Sequence, residues 1–166
     1  MNNRFKIVAV GGVFDRIHKG HKALLTKAFE VGEFVLIGLA SDNFAINVEG
    51  KKLEHNYEER LMNLEKFLNE SFPNRCYKIS QLNDYFGPEI FTKDVEGIVV
   101  SEETAGRVKI ANELRRKMGL KPLEVVIVKM VLAENGKPIS TTRIKCGEID
   151  EEGRVISNRS NTFIDV

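Results

Sequence analysis

Phe34-Val35-Leu36-Ile37-Gly38-Leu39 is apolar at successive positions rather than alternate ones. A strand of that kind is buried on both faces, the environment of a central strand in a parallel sheet. Phe5 to Val10, Gly97 to Ser101 and the valine-rich Leu123 to Met130 share the character, and Cys76 to Ser80 is a weaker case. Between these runs the period changes. Tyr57 to Ser71 opens on Glu58-Glu59-Arg60, carries Leu61, Leu64, Phe67 and Leu68 at helical spacing, and is stopped by Pro73. Lys22 to Phe29 reads as a helix ending near Val31, with Gly32 as its C-cap. Glu102 to Met118 reads as another, with Val108, Ile110, Ala111 and Leu114 inward and Gly119 as cap. Strands of this type alternating with helices predict an α/β fold: a Rossmann-like, doubly wound, five-stranded parallel sheet with helices on both faces. Ligands of such sheets bind beyond the carboxyl ends of the strands, where strand order reverses.

The chain has 166 residues, which suits one domain, read here as 1–150 followed by a tail, 151–166, that packs partly back through Val155, Ile156, Phe163 and Ile164. A net charge of +1 argues against a nucleic-acid partner, so anion binding must come from a local cluster. No apolar run approaches the ~20 residues of a membrane span. Without a signal-peptide pattern, the expected location is cytoplasmic and reducing. Cys76 and Cys146, in no metal-ligand spacing, read as small buried or half-buried thiols. Asn47 to Asn56, with Gly50-Lys51-Lys52, reads as an exposed mobile loop, and Ala40 to Asn43 as a loop at a strand end. Asn135 to Pro138 reads as a turn, and Ile139 to Cys146 as a short helix closed by Gly147.

The polar residues concentrate on Gly11-Gly12-Val13-Phe14-Asp15-Arg16-Ile17-His18-Lys19-Gly20-His21, a glycine-led loop between the first strand and first helix. Backbone N–H groups and the helix dipole at such a place favour a phosphate. His18 and His21, three apart, can face the same side and donate to phosphate oxygens. A metal reading lacks a nearby third ligand, and two plain surface histidines are the bland alternative. The loop is neither a Walker loop nor a Gly-x-Gly-x-x-Gly fingerprint.

His18-Lys19-Gly20-His21 instead matches the His-x-Gly-His motif of the nucleotidylyltransferase superfamily, and Gly12-Val13-Phe14-Asp15 its lead-in. Ile139-Ser140-Thr141-Thr142-Arg143-Ile144 resembles the second superfamily signature, although Lys145 stands where the pattern usually has arginine. Read without the first motif, that run would pass for an ordinary helix N-cap. Ser41-Asp42, Gly50-Lys51-Lys52, Tyr57-Glu58-Glu59-Arg60, Val100-Ser101-Glu102-Glu103-Thr104 and Asn112-Glu113-Leu114-Arg115 narrow the resemblance. Together they look like the phosphopantetheine adenylyltransferase family in its archaeal form, related to a domain of eukaryotic CoA synthase.

The resemblance implies transfer of AMP from ATP to 4′-phosphopantetheine, giving dephospho-CoA and pyrophosphate, with Mg²⁺ arriving with ATP. It implies that His18 and His21 meet the ATP phosphates, His21 the α-phosphate, and that Lys51 or Lys52 closes over them. Gly11, Gly12, Val13, Phe14, Gly20, Ser101 and Thr104 would line the nucleotide, with Arg107 and Arg115 as phosphate contacts. Ser140, Thr141, Thr142 and Arg143 would hold the β,γ end, while Asp15, Ser41 and Lys52 face the acceptor. Solvated side chains are the alternative for the two lysines and for Arg107 and Arg115. The acceptor could instead be nicotinamide mononucleotide, a flavin mononucleotide or an alcohol phosphate, or the chain could bind nucleotide without turnover. The archaeal resemblance favours a monomer.

Overall fold

The computed structural model describes residues 4–137, 139–140, 143–144 and 146–156. The elements in chain order are β1 (Phe5–Gly12), α1 (Lys19–Val31), β2 (Gly32–Ala40), α2 (Asp42–Asn47), α3 (Tyr57–Ser71), β3 (Cys76–Leu82), β4 (Gly97–Ser101), α4 (Val108–Lys117) and β5 (Glu124–Val128). The five strands form one sheet in the order β3-β2-β1-β4-β5, every neighbouring pair parallel. Strand order reverses between β1 and β4, so the loop after β1 emerges where a Rossmann-like sheet places its ligand.

The expectation of strands buried on both faces is met in β1. Val8 and Val10 join Leu25, Phe29, Leu64 and Leu68 of α1 and α3 on one side. Ala9 joins Ile98, Val108, Ala111 and Leu123 on the other. Gly32 joins α1 directly to β2 in an extended conformation (φ −114°), not a left-handed one. Glycine is needed there for space, because a Cβ would lie 2.3 Å from Val8 Cγ1.

Several expectations need correction. Ala40 to Asn43 is not a simple loop: buried Ser41 caps α2, its Oγ accepting from Phe44 N–H at 3.1 Å. The segment after β4 passes through a 3₁₀ turn, Ala105–Arg107, and becomes α-helical only at Val108. Ile110 and Leu114, expected inward, are 57% and 44% exposed, and the buried face of α4 is Val108, Ala111 and Arg115. Val108 and Ala111 are inward as expected, but the third inward position is taken by Arg115 rather than by Ile110 or Leu114. Cys76 and Cys146 are both exposed. Among the described residues no helix is long and apolar enough to cross a membrane.

Residues 131–156 carry a small core of their own, Ala133, Ile139, Ile144 and Ile149, with Val131 and Val155 against it. Ile149 pairs antiparallel with Val155. The expected boundary at 150 therefore falls inside a turn. Phe163 and Ile164 lie outside the described residues.

Candidate active site

Gly11 and Gly12 are the last residues of β1, paired with Gly38 and Leu39 of β2, so they belong to the sheet rather than the loop. A Cβ on Gly11 would stand 3.2 Å from Leu82 Cδ1 and 3.3 Å from the Gly38 carbonyl oxygen. The chain then turns at Phe14, whose left-handed backbone (φ 51°) is costly for a bulky residue. Phe14 is 1% exposed, and its ring lies 4.9 Å from that of His21. The Phe14 side chain is the floor beneath a histidine, which leaves its backbone as the part that can line a nucleotide.

His18 is the N-cap of α1. Its Nδ1 accepts from Gly20 N–H at 3.0 Å and His21 N–H at 3.4 Å. In return His21 Nδ1 accepts from His18 N–H at 3.3 Å, closing a capping box built from two imidazoles. The rings stack with centroids 3.8 Å apart. Gly20 is required because a Cβ would lie 2.9 Å from His18 Cε1. Nδ1 acts as acceptor in both rings, which places the protons on Nε2. Burial pushes His18 down to about 4, against a weaker upward pull from Glu151. Burial also holds His21 well below 6.5; proximity to His18 and Lys51 reinforces this, and a backbone hydrogen bond with Arg16 opposes it. Both rings are neutral near pH 7.

This geometry corrects the idea of a helix start with amides open to phosphate. Lys19 N–H donates to the Glu151 carbonyl at 3.0 Å, Gly20 and His21 N–H to His18 Nδ1, and Lys22 N–H to the His18 carbonyl at 3.0 Å. The first turn spends its amides inside the protein. What remains to offer an anion is imidazole N–H.

Asp15, expected at the acceptor, is 5% exposed and committed elsewhere. Its carboxylate accepts from Glu54 N–H at 2.9 Å, His55 N–H at 3.0 Å and the His55 ring at 3.1 Å. It pins the far end of the 48–56 loop to the loop after β1, and His55, given no role from sequence, is its partner. The near end is held by Glu49, which accepts from Arg107 at 3.4 Å. Lys51 and Lys52 are exposed between these anchors, and Lys51 N–H donates to the Ala45 carbonyl at 2.9 Å.

Sequence reasoning also missed Arg60. Its side chain is fully buried and donates to the carbonyls of Val13 (2.9 Å), Ala40 (2.8 Å) and His55 (3.2 Å) and to Asp42 Oδ1 (2.7 Å). It joins the loop after β1 to the turn after β2. The signal was its spacing: Arg60, Leu64 and Leu68 lie on one face of α3 and are its buried residues.

Arg115 is corrected too. It is 2% exposed and donates to the carbonyls of Lys121 (2.8 Å), Thr92 (2.9 Å), Val95 (3.2 Å) and Ile90. Those carbonyls take its donors, so it is not a phosphate contact. Arg107 lies at the surface with its guanidinium 4.2 Å from the centre of the Tyr85 ring. Ser101 and Thr104 hydroxyls meet at 3.3 Å in the turn after β4. Ser140 Oγ accepts from Arg143 N–H at 3.2 Å, and Arg143 donates to Glu148 at 2.9 Å and to Asn135 at 3.1 Å. Thr141, Thr142 and Lys145 lie outside the described residues.

A cleft of about 320 Å³ opens beside these loops. Gly11, Gly38, Leu36, Leu82 and Ile98 line it, and Tyr85 stands at its wall. It is mostly apolar, with a polar corner where Ser80 Oγ donates to Glu89 at 2.5 Å; that bond holds the Glu89 carboxyl below its usual range. Among the described residues no group of three or more His, Cys, Asp or Glu could hold a metal ion.

The cytidylyltransferase-like family model matches residues 9–147. The phosphopantetheine adenylyltransferase of Methanothermobacter thermautotrophicus is 42% identical over 156 residues, covering 94% of this chain and 93% of that protein. The chain belongs to the phosphopantetheine adenylyltransferase family. A second member, from Thermococcus kodakarensis, is 41% identical over 167 residues and covers both chains fully. Among solved structures, a protein of unknown function from Archaeoglobus fulgidus superposes with a TM-score of 0.66 at 27% identity, covering 73% of this chain and 87% of that one. The archaeal form expected from sequence is the form matched.

Proposed function

We propose that the chain transfers AMP from ATP to 4′-phosphopantetheine, forming dephospho-CoA and releasing pyrophosphate. A phosphate oxygen of the acceptor attacks the α-phosphorus in line, and the bond to the bridging oxygen of the pyrophosphate breaks. The acceptor oxygen already carries charge, so no strong base is required. The work is alignment and neutralisation of charge on the oxygens in flight. The observation that carries the reading is the imidazole pair: two neutral rings, locked by their Nδ1 atoms, with Nε2–H as the donor each can offer, that of His21 by exchanging its contact with the Arg16 backbone for phosphate. Preorganised donors of this kind cost no reorganisation as charge builds.

His21 is assigned to the α-phosphate and His18 to its neighbour. Lys51 or Lys52 brings a positive charge from the loop pinned by Glu49 and Asp15. Ser140, Thr141, Thr142 and Arg143 take the β,γ end; Arg143 would exchange its contact with Glu148 or Asn135 for phosphate. Mg²⁺ enters as part of the ATP substrate, on phosphate oxygens and water, and no described side chain is asked to hold it. The apolar cleft beside Gly11 and Gly38 suits the gem-dimethyl and amide arm of the acceptor, with Ser80 and Glu89 as polar partners.

The test is pyrophosphate release from ATP with 4′-phosphopantetheine, nicotinamide mononucleotide, flavin mononucleotide and an alcohol phosphate as separate acceptors. Release with 4′-phosphopantetheine alone is expected. Release with another acceptor only would overturn the substrate, and release with none would overturn the activity.

A further inference from the structure

The stretch 148–156 has no part in the chemistry proposed above, yet its contacts are specific. Glu148 N–H donates to the Arg143 carbonyl at 3.0 Å and Ile156 N–H to the Glu148 carbonyl at 3.0 Å. With the Ile149–Val155 pairing and the small core around Ile139 and Ile144, this ties Ser140 and Arg143 to the following turn. That turn meets the sheet body at the start of α1. The Glu151 carbonyl accepts from Lys19 N–H at 3.0 Å, the Glu151 carboxylate from Arg16 at 3.0 Å, and the Glu152 carboxylate from Lys22 at 2.8 Å. Arg16 uses its Nε on Glu54 at 2.7 Å as well. One guanidinium, two residues before His18, thus holds the loop of Lys51 and Lys52 on one side and the turn tied to Ser140 on the other.

We infer that Arg16 and Glu151 are positioning residues for ATP: they set the distance between the His18–His21 box and the residues Ser140 and Arg143. The inference rests on the reading that ATP phosphates span both. The Arg16–Glu151 pair is half exposed, with side chains 36% and 45% accessible, so it adds little to folding. Each side of the junction has a buried apolar cluster of its own, and neither cluster includes Arg16 or Glu151. Small displacements between groups that must contact one polyphosphate are costly, because the alignment is lost even when every contact residue is still present. Arg16 and Glu151 therefore act on ATP affinity far more than on folding, and on ATP far more than on the acceptor.

The test is a double-mutant cycle with Arg16→Gln and Glu151→Gln. ATP dissociation constants are read by calorimetry, the KM for 4′-phosphopantetheine by turnover, and stability by thermal melting. Each single substitution is expected to weaken ATP binding about tenfold, and the double no more than Arg16→Gln alone, as coupled partners require. Acceptor KM is expected to stay within about twofold and the melting midpoint to hold, since exposed pairs contribute little to folding. Unchanged ATP affinity, multiplying single effects, or a joint fall of both substrates with the melting point would each overturn the inference. A wild-type chain that binds ATP but transfers AMP to no acceptor would sink the proposed activity, while the ATP arm would still decide the role of Arg16 and Glu151. A wild-type chain that binds no ATP would sink both.

Discussion

The two halves of the proposed ATP clamp are built differently. The His18 turn is assembled from backbone: both Nδ1 atoms and the first-turn amides of α1 are committed, Phe14 lies beneath, and the buried Arg60 holds the loop before it. The Ser140–Arg143 half has four buried apolar residues as its core and meets the box through ion pairs at Glu151 and Glu152. One half is rigid because its polar groups have nowhere else to go; the other is placed partly by ion pairs that salt can weaken, beside one backbone bond from Lys19 N–H to the Glu151 carbonyl. Substitutions on the first side should cost folding or turnover outright, and on the second, affinity.

Arg60→Ala breaks the first half hardest. It leaves the Val13 and Ala40 carbonyls unpaired in the interior and the Asp42 carboxylate without its partner, and should cost about 3–5 kcal/mol in urea denaturation. Acid comes next. The unfolded chain takes up a proton on His18 as pH falls through 6.5, whereas the folded chain does so only near 4. Stability should therefore fall by about 3 kcal/mol between pH 7 and pH 4 through His18, with His21 acting in the same direction. His18→Asn should flatten that slope, because asparagine keeps the cap without the titration.

Turnover separates donor from scaffold. His21→Ala should lower kcat about 100-fold, near 2.7 kcal/mol, with circular dichroism unchanged. His18→Ala should lose about 1 kcal/mol of stability with the cap, and His18→Asn should regain the stability but not the rate. Glu152→Gln, which removes the exposed pair with Lys22, should shift folding by less than about 1 kcal/mol. A loss as large as that of Arg60→Ala would erase the distinction between the halves.

Much of the scaffold was legible in the chain. The bounds of α3 and β4 match those expected, because their periods were unambiguous and Pro73 and the flanking polar residues marked the ends. The five-strand parallel sheet followed from strands without a solvent face. Hidden features were polar groups turned inward. Arg60 and Arg115 look like surface residues until the carbonyls they serve are found, and for Arg60 the farthest lies 47 positions away. Asp15 looked like a mouth residue because its partners are 39 and 40 positions on. The spent amides of α1 could not be seen either, since Glu151 reaches Lys19 across the whole fold. A motif names the atoms that chemistry needs, but only the fold shows which are already committed.

The central claim is that the two imidazoles are neutral Nε2–H donors. Long-range nitrogen–proton NMR of the ¹⁵N-labelled protein at pH 6, with His18 and His21 assigned by substitution, reads both charge and tautomer. Neutral rings protonated at Nε2 are predicted, with His18 titrating only near 4. Imidazolium signals at pH 6, or protons on Nδ1, would contradict the account.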